Sequence, residues 1–189
     1  MQPIDISEIK NIADYELERE RWRPQILALK DRRRIRLGDH LTFLFENRET
    51  VRYQIQEMMR IERIVKPADI AHEVKTYNEL VPAPGELSAS LFIEYTTPEE
   101  RAVKLRELLG LDRHIWLEVS AAGRTPALFD NRQIATDRLS SVQYIKFRMS
   151  PAQIRHWREG ASLIADHPCY QAVRFLTPAE LADLAADFV

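Results

Sequence analysis

Apolar residues near the start of the chain recur at steps of three, four and seven, which is the spacing of one helical face. They are Ile12, Tyr15, Trp22, Ile26 and Leu29. The spacing predicts a long helix from about Ser7 or Asp14 to Arg33, and Pro24 predicts a kink or a break near Arg23. Because this stripe must pack on something, we expect it to contact the sheet or a second copy of the chain, so homodimerisation through these helices is predicted.

The period changes to strict alternation over residues 35–46, where apolar and polar side chains point to opposite faces. This alternation predicts one half-buried strand. Asn47 then offers a helix cap, and the apolar pattern after it predicts a helix that ends near Val65. A further helix is predicted before Pro82-Ala83-Pro84-Gly85, the strongest helix breaker in the chain.

Strands dominate the remainder of the chain. The alternation of residues 87–95 predicts one strand, and others are predicted at about 113–120, 124–129, 140–149, 162–166 and 170–176. Three helix starts share a hydroxyl cap followed by proline, at Thr97, Ser150 and Thr177. Since strands joined by short connections pair antiparallel, the predicted fold class is α+β, with a mostly antiparallel sheet, long N-terminal helices and short capped helices between hairpins.

The length favours a single domain over residues 1–189, with a helix-rich part at 1–85 and a strand-rich part at 86–189. The 27 Lys and Arg residues nearly balance the 29 Asp and Glu residues, and a net charge of −2 argues against a dedicated nucleic-acid binder. No apolar run approaches the roughly 20 residues of a membrane-spanning helix. The N-terminus also lacks the apolar core of a signal peptide. We therefore expect a cytoplasmic protein without nucleic-acid or membrane partners.

Polar residues cluster where the predicted strand 35–46 turns into the helix after Asn47. A solvated helix with intrahelical ion pairs, such as Glu57 with Arg60, is the simpler interpretation. The functional interpretation is a site for a polar ligand or a partner, because a carboxylate, a guanidinium and an amide meet at a corner of a rigid scaffold. The candidate residues of this corner are Glu46, Arg48, Gln54 and Glu57.

A second polar set occupies the alternate face of the two predicted strands 35–46 and 87–95. Its members are His40, Thr42, Glu46, Ser88, Ser90 and Glu94. If the strands are neighbours, these side chains form one patch, to which Glu94 adds a candidate binding group and His40 a candidate general base. No Gly-x-Ser-x-Gly motif accompanies the serines. Solvent-facing strand residues are the simpler explanation.

Metal-binding residues are sparse. Cys169 is the only cysteine, so one chain can form neither a disulfide nor a cysteine-based metal site, and we expect it to be buried. Asp69 and His72, with Glu73 beside them, have the spacing that ferritin-like bundles use. Such a bundle needs two copies of that motif and glutamates from two more helices, whereas this chain has one degenerate copy. We therefore predict no metal centre and no cofactor.

Four segments resemble a known family. They are RRRIRLGDHLTFLFENRETVRYQIQEMMRIER at 32–63, YNELVPAPGELSASLFIE at 77–94, SSVQYIKF at 140–147 and DHPCY at 166–170. Together they resemble the uncharacterised bacterial domain-of-unknown-function family 3501 over essentially the whole chain. The resemblance implies a small soluble bacterial protein with no established activity or catalytic residue. It also implies a redox or peroxide-stress setting, beside rubrerythrin-like and iron-sulfur proteins.

Three functional hypotheses follow. The first is a non-catalytic accessory or binding module that acts on a rubrerythrin-like or iron-sulfur partner through the corner around Glu46 and Arg48. The second is an enzyme on a small polar metabolite, with Glu57 or His40 as general base and Arg48 as anion clamp. The third is a mononuclear metal site that uses His72 with carboxylates. Whether the protein is an enzyme is left open by its sequence.

Overall fold

Helices and strands alternate along the chain in the computed structural model, which describes residues 1–130, 132 and 137–188. The helices are α1 (Ile12–Arg32), α2 (Arg48–Glu62), α3 (Pro67–Asn78), α4 (Pro98–Glu107), α5 (Pro151–His156) and α6 (Pro178–Ala185). The strands are β1 (Arg34–Leu37), β2 (Leu41–Glu46), β3 (Glu86–Ile93), β4 (Ile115–Val119), β5 (Gly123–Pro126), β6 (Leu128–Phe129), β7 (Val142–Arg148), β8 (Ala161–His167) and β9 (Tyr170–Phe175). Neighbouring strands pair antiparallel, and the predicted α+β class is confirmed.

The strands form two sheets that share one apolar core. One sheet has the order β1-β2-β3-β7-β6 and the other the order β5-β4-β8-β9. Phe43 and Phe45 of β2 belong to the same buried cluster as Leu117 of β4 and Leu163 of β8. Alternate residues of each strand thus face inwards, as the period of two requires. The sheets pack face to face, which leaves the outer face of the five-stranded sheet towards the N-terminal helices.

The predicted single strand 35–46 is wrong, because the chain reverses in the middle of it. Residues 34–37 and 41–46 form the hairpin β1–β2, in which Ile35 pairs with Phe43. Gly38 makes the turn with φ of +66°, a conformation that other residues adopt only with strain. A Cβ at Gly38 would also lie 2.5 Å from the Tyr170 hydroxyl. The hairpin preserves the alternation, so both arms bury the apolar residues of the predicted strand.

Helix α1 is continuous through Pro24, so of the predicted kink or break the break is wrong and the kink stays a prediction. Its apolar stripe packs on α2 within the same chain. Tyr15 is fully buried, and its ring meets Trp22 edge to face at 5.9 Å between centroids. Trp22 in turn meets Tyr53 of α2 at 5.7 Å. The stripe that motivated the homodimer therefore has an intramolecular partner, and homodimerisation stays a prediction without support from it.

Three short helices begin at the predicted caps. The hydroxyls of Thr97, Ser150 and Thr177 each accept a hydrogen bond from the backbone amide three residues later, and proline follows each cap. These helix starts are confirmed. Across the described residues, no helix combines the length and apolar character needed to cross a membrane.

Candidate functional site

The outer face of the five-stranded sheet carries polar side chains that are buried. Thr42, Glu46, Ser88 and Ser90 are each at most 6% exposed. The predicted solvent-facing arrangement is therefore wrong. The physical reason is that the N-terminal helices lie over this face, with Thr50 of α2 in direct contact with Glu46. Strands β2 and β3 are neighbours, as the predicted patch requires, with Glu46 opposite Ser88.

Glu46 is fixed by hydroxyl groups from two elements. Its carboxylate accepts hydrogen bonds from Thr50 at 2.5 Å and from Ser90 at 2.7 Å. A buried carboxylate is tolerated when hydrogen bonds satisfy it. These contacts tie β2 to β3 and to the first turn of α2, so Glu46 has a clear structural role.

Arg48 and Glu57, the other charged residues of the predicted corner, have separate partners. Arg48 forms an ion pair with Glu8 at 2.5 Å and donates to the carbonyl oxygen of Gln2 at 3.1 Å. Glu57 accepts from the Tyr15 hydroxyl at 2.5 Å and from Arg19 Nε at 2.7 Å. Both residues join α2 to the N-terminal segment, and no hydrogen bond or ion pair joins them to each other in the part of the chain that the structure describes.

The surroundings of Glu57 oppose a role as general base. Burial alone would raise the pKa of its carboxyl group, but hydrogen bonds from Arg19, Tyr15 and Arg60 outweigh burial and lower that pKa to about 2. A general base works best with a pKa near the pH of the reaction. The carboxylate of Glu57 is therefore a weak base at neutral pH.

The remaining candidate ligands lie elsewhere on the sheet and helices. Glu94 accepts from Thr42 Oγ1 at 2.6 Å, and the backbone oxygen of Glu94 lies 2.9 Å from His40 Nδ1. The His40 ring stacks on Tyr95 with 4.1 Å between centroids. These contacts lie at the end of β2 opposite Glu46, so the structure does not bring His40 together with the corner residues. Gln54 hydrogen-bonds to the hydroxyl of Tyr77 on α3.

The candidate metal ligands do not converge. Asp69, His72 and Glu73 all lie on α3, but within the described ranges no three His, Cys, Asp or Glu side chains are placed to hold a metal ion. Cys169 is exposed, so its predicted burial is wrong. It lies two residues after His167, in the β8–β9 turn, where the Cys169 amide donates to His167 Nδ1 at 3.2 Å.

A cavity of about 770 Å³ separates the N-terminal helices from the outer face of the five-stranded sheet. Its helical wall comes from the end of α2, from α3 and from the segment after it, and its floor comes from β3, β6 and β7. Much of the lining is apolar or aromatic: Met58, Tyr77, Leu80, Leu128, Phe129 and Tyr144. Cavities of roughly 300–1,000 Å³ with mostly apolar walls and a few polar groups are typical of small-molecule sites.

Ser88 lines this cavity, and its hydroxyl is buried and unpaired. The residue is 1% exposed, and its Oγ has no hydrogen-bond partner among the described residues. Its neighbour Ser90, two positions along β3, has its hydroxyl satisfied by Glu46. An unsatisfied buried polar group costs about 1–3 kcal/mol. A hydroxyl in that state beside a cavity is a candidate contact for a bound molecule.

Cations that line the cavity are matched by carboxylates. Arg132 pairs with Asp130 at 2.7 Å and also with Glu79. Lys146 and Arg148 share one carboxylate, that of Glu86, at 3.3 and 3.0 Å. Two further carboxylates line the cavity without an ion pair to any side chain that the structure describes. They are Glu62 at the end of α2 and Glu73 on α3.

Two tyrosine hydroxyls complete the polar lining. Burial raises the pKa of Tyr77, and Tyr144 and the carboxylates of Glu73 and Glu62 raise it further against the hydrogen bond from Gln54. Burial also raises the pKa of Tyr144, as does the charge of Glu46. Both phenols are therefore uncharged at neutral pH.

The family assignment rests on the whole length of the chain. The model of a family described as protein of unknown function (DUF3501) matches residues 3–188. The chain belongs to this family. A crystal structure described as a novel protein of unknown function, from Burkholderia pseudomallei, is 29% identical to this DUF3501 chain and superposes with a TM-score of 0.93, covering 100% of both chains. No curated protein matches the sequence.

Proposed function

We propose that this DUF3501 protein is a non-catalytic binding module that holds a small molecule in the cavity between α3 and the five-stranded sheet. The observation that carries the proposal is the cavity itself, which has a volume of about 770 Å³ and the buried, unpaired hydroxyl of Ser88 at its floor. Its apolar and aromatic walls match the usual lining of ligand sites. This surface takes the place of the predicted corner around Glu46 and Arg48.

The lining supports binding rather than catalysis. Ser88 is the only serine in the described lining, and a serine nucleophile needs a neighbouring base. The described lining includes no histidine and no cysteine. The candidate bases Glu57 and His40 contact other parts of the chain. Lys146 lies opposite Ser88 in the sheet, but it is paired with Glu86, so it is not a free partner for the serine hydroxyl. A lining of this kind fits a receptor for an unmodified ligand.

The predicted partner proteins remain expectations. A rubrerythrin-like or iron-sulfur partner is implied by the family resemblance, and no contact within the described chain bears on it. A binding module in that setting would report or deliver a small molecule to its partner. The cavity can be tested independently of any partner.

Thr76 and Lys75 provide a matched pair of variants for that test. Thr76 and its neighbour Lys75 on α3 are both exposed, but only Thr76 lines the cavity. Thr76→Trp places an indole in the cavity, and Lys75→Trp places the same group outside it. We expect ligand-detected NMR of a fragment library to find molecules that bind wild type and Lys75→Trp and fail to bind Thr76→Trp. Equal binding to both variants, or no binder to the wild type, would contradict the proposal.

A further inference from the structure

The charges around the cavity are unequal. Five carboxylates and three cationic side chains line it or contact its lining. They are Glu62, Glu73, Glu79, Glu86 and Asp130, against Arg132, Lys146 and Arg148. Every cation has a carboxylate partner, and Glu62 and Glu73 have none among the described side chains. The excess charge is therefore negative and lies on the helical wall.

The two unpaired glutamates line the cavity from different helices. Glu62 is exposed at the end of α2, and the half-buried Glu73 lies on α3 one turn before Tyr77. The helical wall of the cavity thus presents two carboxylates beside aromatic rings. A cation bound at this wall would be attracted by both carboxylates.

The other unsatisfied group is the Ser88 hydroxyl, which is buried and has no partner in the described chain. A hydroxyl both donates and accepts hydrogen bonds, so the charge preference of the site rests on the glutamates and not on Ser88. The aromatic rings of Tyr77, Phe129 and Tyr144 line the space between the serine and the glutamates. Ring faces attract cations, and apolar walls bind an apolar body.

We propose that the ligand of this cavity is a primary amine on an apolar or aromatic body, with its ammonium group held by Glu62 and Glu73 and its body packed against Met58, Tyr77 and Phe129. The inference rests on the proposed function and names the ligand class for that same site. An ammonium group has three donors and no acceptor, which matches a site whose unpaired charges are carboxylates.

An anionic ligand fits the same lining less well. Lys146 and Arg148 are the only described lining cations beside the serine floor, because Arg132 is held by Asp130 and Glu79. Both contact Glu86, so an anion would compete with an ion pair that already exists. An amine, in contrast, gains charge-assisted hydrogen bonds to two unpaired carboxylates and breaks no existing ion pair.

Three probes of similar shape test the charge preference. They are 2-phenylethylamine, 2-phenylethanol and 3-phenylpropionate, titrated into the protein by isothermal calorimetry at pH 7. We expect the amine to bind at least about tenfold more tightly than the alcohol, since one charge-assisted hydrogen bond suffices for that factor. The double variant Glu62→Gln/Glu73→Gln should lose this preference and still fold, because glutamine is a good helix former.

Glu99→Gln/Glu100→Gln is the matched control, because it removes two exposed glutamates from α4 that do not belong to the lining. This control should keep the tenfold preference. Equal binding of the amine and the alcohol, tighter binding of the carboxylate, or an unchanged preference in Glu62→Gln/Glu73→Gln would overturn the amine inference. If the alcohol or the carboxylate binds and Thr76→Trp blocks it, the cavity still binds ligands and only the amine class is wrong. If no probe or fragment binds, both proposals are wrong.

Discussion

Replacing Glu57 by glutamine measures how much the buried hydrogen bonds of this carboxylate stabilise the protein. The side chain is 13% exposed and accepts from Tyr15 and Arg19. A pKa of about 2 in the folded protein, against 4.5 for an ordinary glutamate, corresponds to about 3 kcal/mol of stability at pH 7. Glutamine retains the shape without the charge, so we expect the free energy of unfolding to fall by about 2–3 kcal/mol.

The pH dependence of this loss follows from the direction of the pKa change. Because the folded state has the lower pKa, the stabilisation by Glu57 is complete above 4.5 and is lost as the pH falls towards 2. At pH 3 slightly less than half of this stabilisation remains. Urea denaturation followed by circular dichroism should therefore show a large gap between wild type and Glu57→Gln at pH 7 and a smaller gap at pH 3.

Glu49→Gln is the control on the same helix. Glu49 pairs with Arg52 at 2.7 Å, but its side chain is 43% exposed. Removing such a surface pair costs less than about 1 kcal/mol. A gap for Glu57→Gln that equals the gap for Glu49→Gln, or that is the same at pH 7 and pH 3, would refute the structural role assigned to Glu57.

Two further predictions concern stability and are measured by the same urea denaturation. Ser88→Ala removes an unpaired hydroxyl, so its free energy of unfolding should equal or exceed that of wild type. Ser90→Ala removes a donor to a buried carboxylate, so its free energy of unfolding should fall by about 1–3 kcal/mol. A larger loss for Ser88→Ala than for Ser90→Ala would contradict the unpaired state of Ser88. Gly38→Ala should lower the free energy of unfolding more than Gly123→Ala does. Both positions have positive φ, but only a Cβ at Gly38 would clash, with Tyr170. Equal losses of stability in the two variants would show that the clash is absent.

Local sequence patterns predicted the elements of the fold because their causes are local. The hydroxyl caps at Thr97, Ser150 and Thr177 act within four residues of chain, and all three helices begin there. The β1–β2 turn was missed because Leu37 and Leu41 continue the alternation on either side of Gly38. Strict alternation indicates which residues are buried and does not show where the chain reverses.

The candidate site was harder to predict because it depends on contacts between distant segments. The alternation of residues 87–95 predicts Ser88 on a polar strand face, but burial of that face requires α2 and α3 to fold back over it. Tyr144 and Lys146 lie opposite Ser90 and Ser88 in the sheet, a register that no local pattern contains. The helical pattern predicts Glu57 on a polar helix face, but its partner Arg19 lies 38 residues away in the chain. The signal available in the sequence was the alternation of residues 142–148, which could have marked Tyr144 and Lys146 as one face.

A crystal structure of the protein soaked with 2-phenylethylamine tests the central claim most directly. The account predicts density for the amine between α3 and β7, with its nitrogen about 3 Å from a carboxylate oxygen of Glu62 or Glu73 and its ring against Tyr77. A structure in which the amine is absent from this cavity, or is bound only on another surface, would contradict the account.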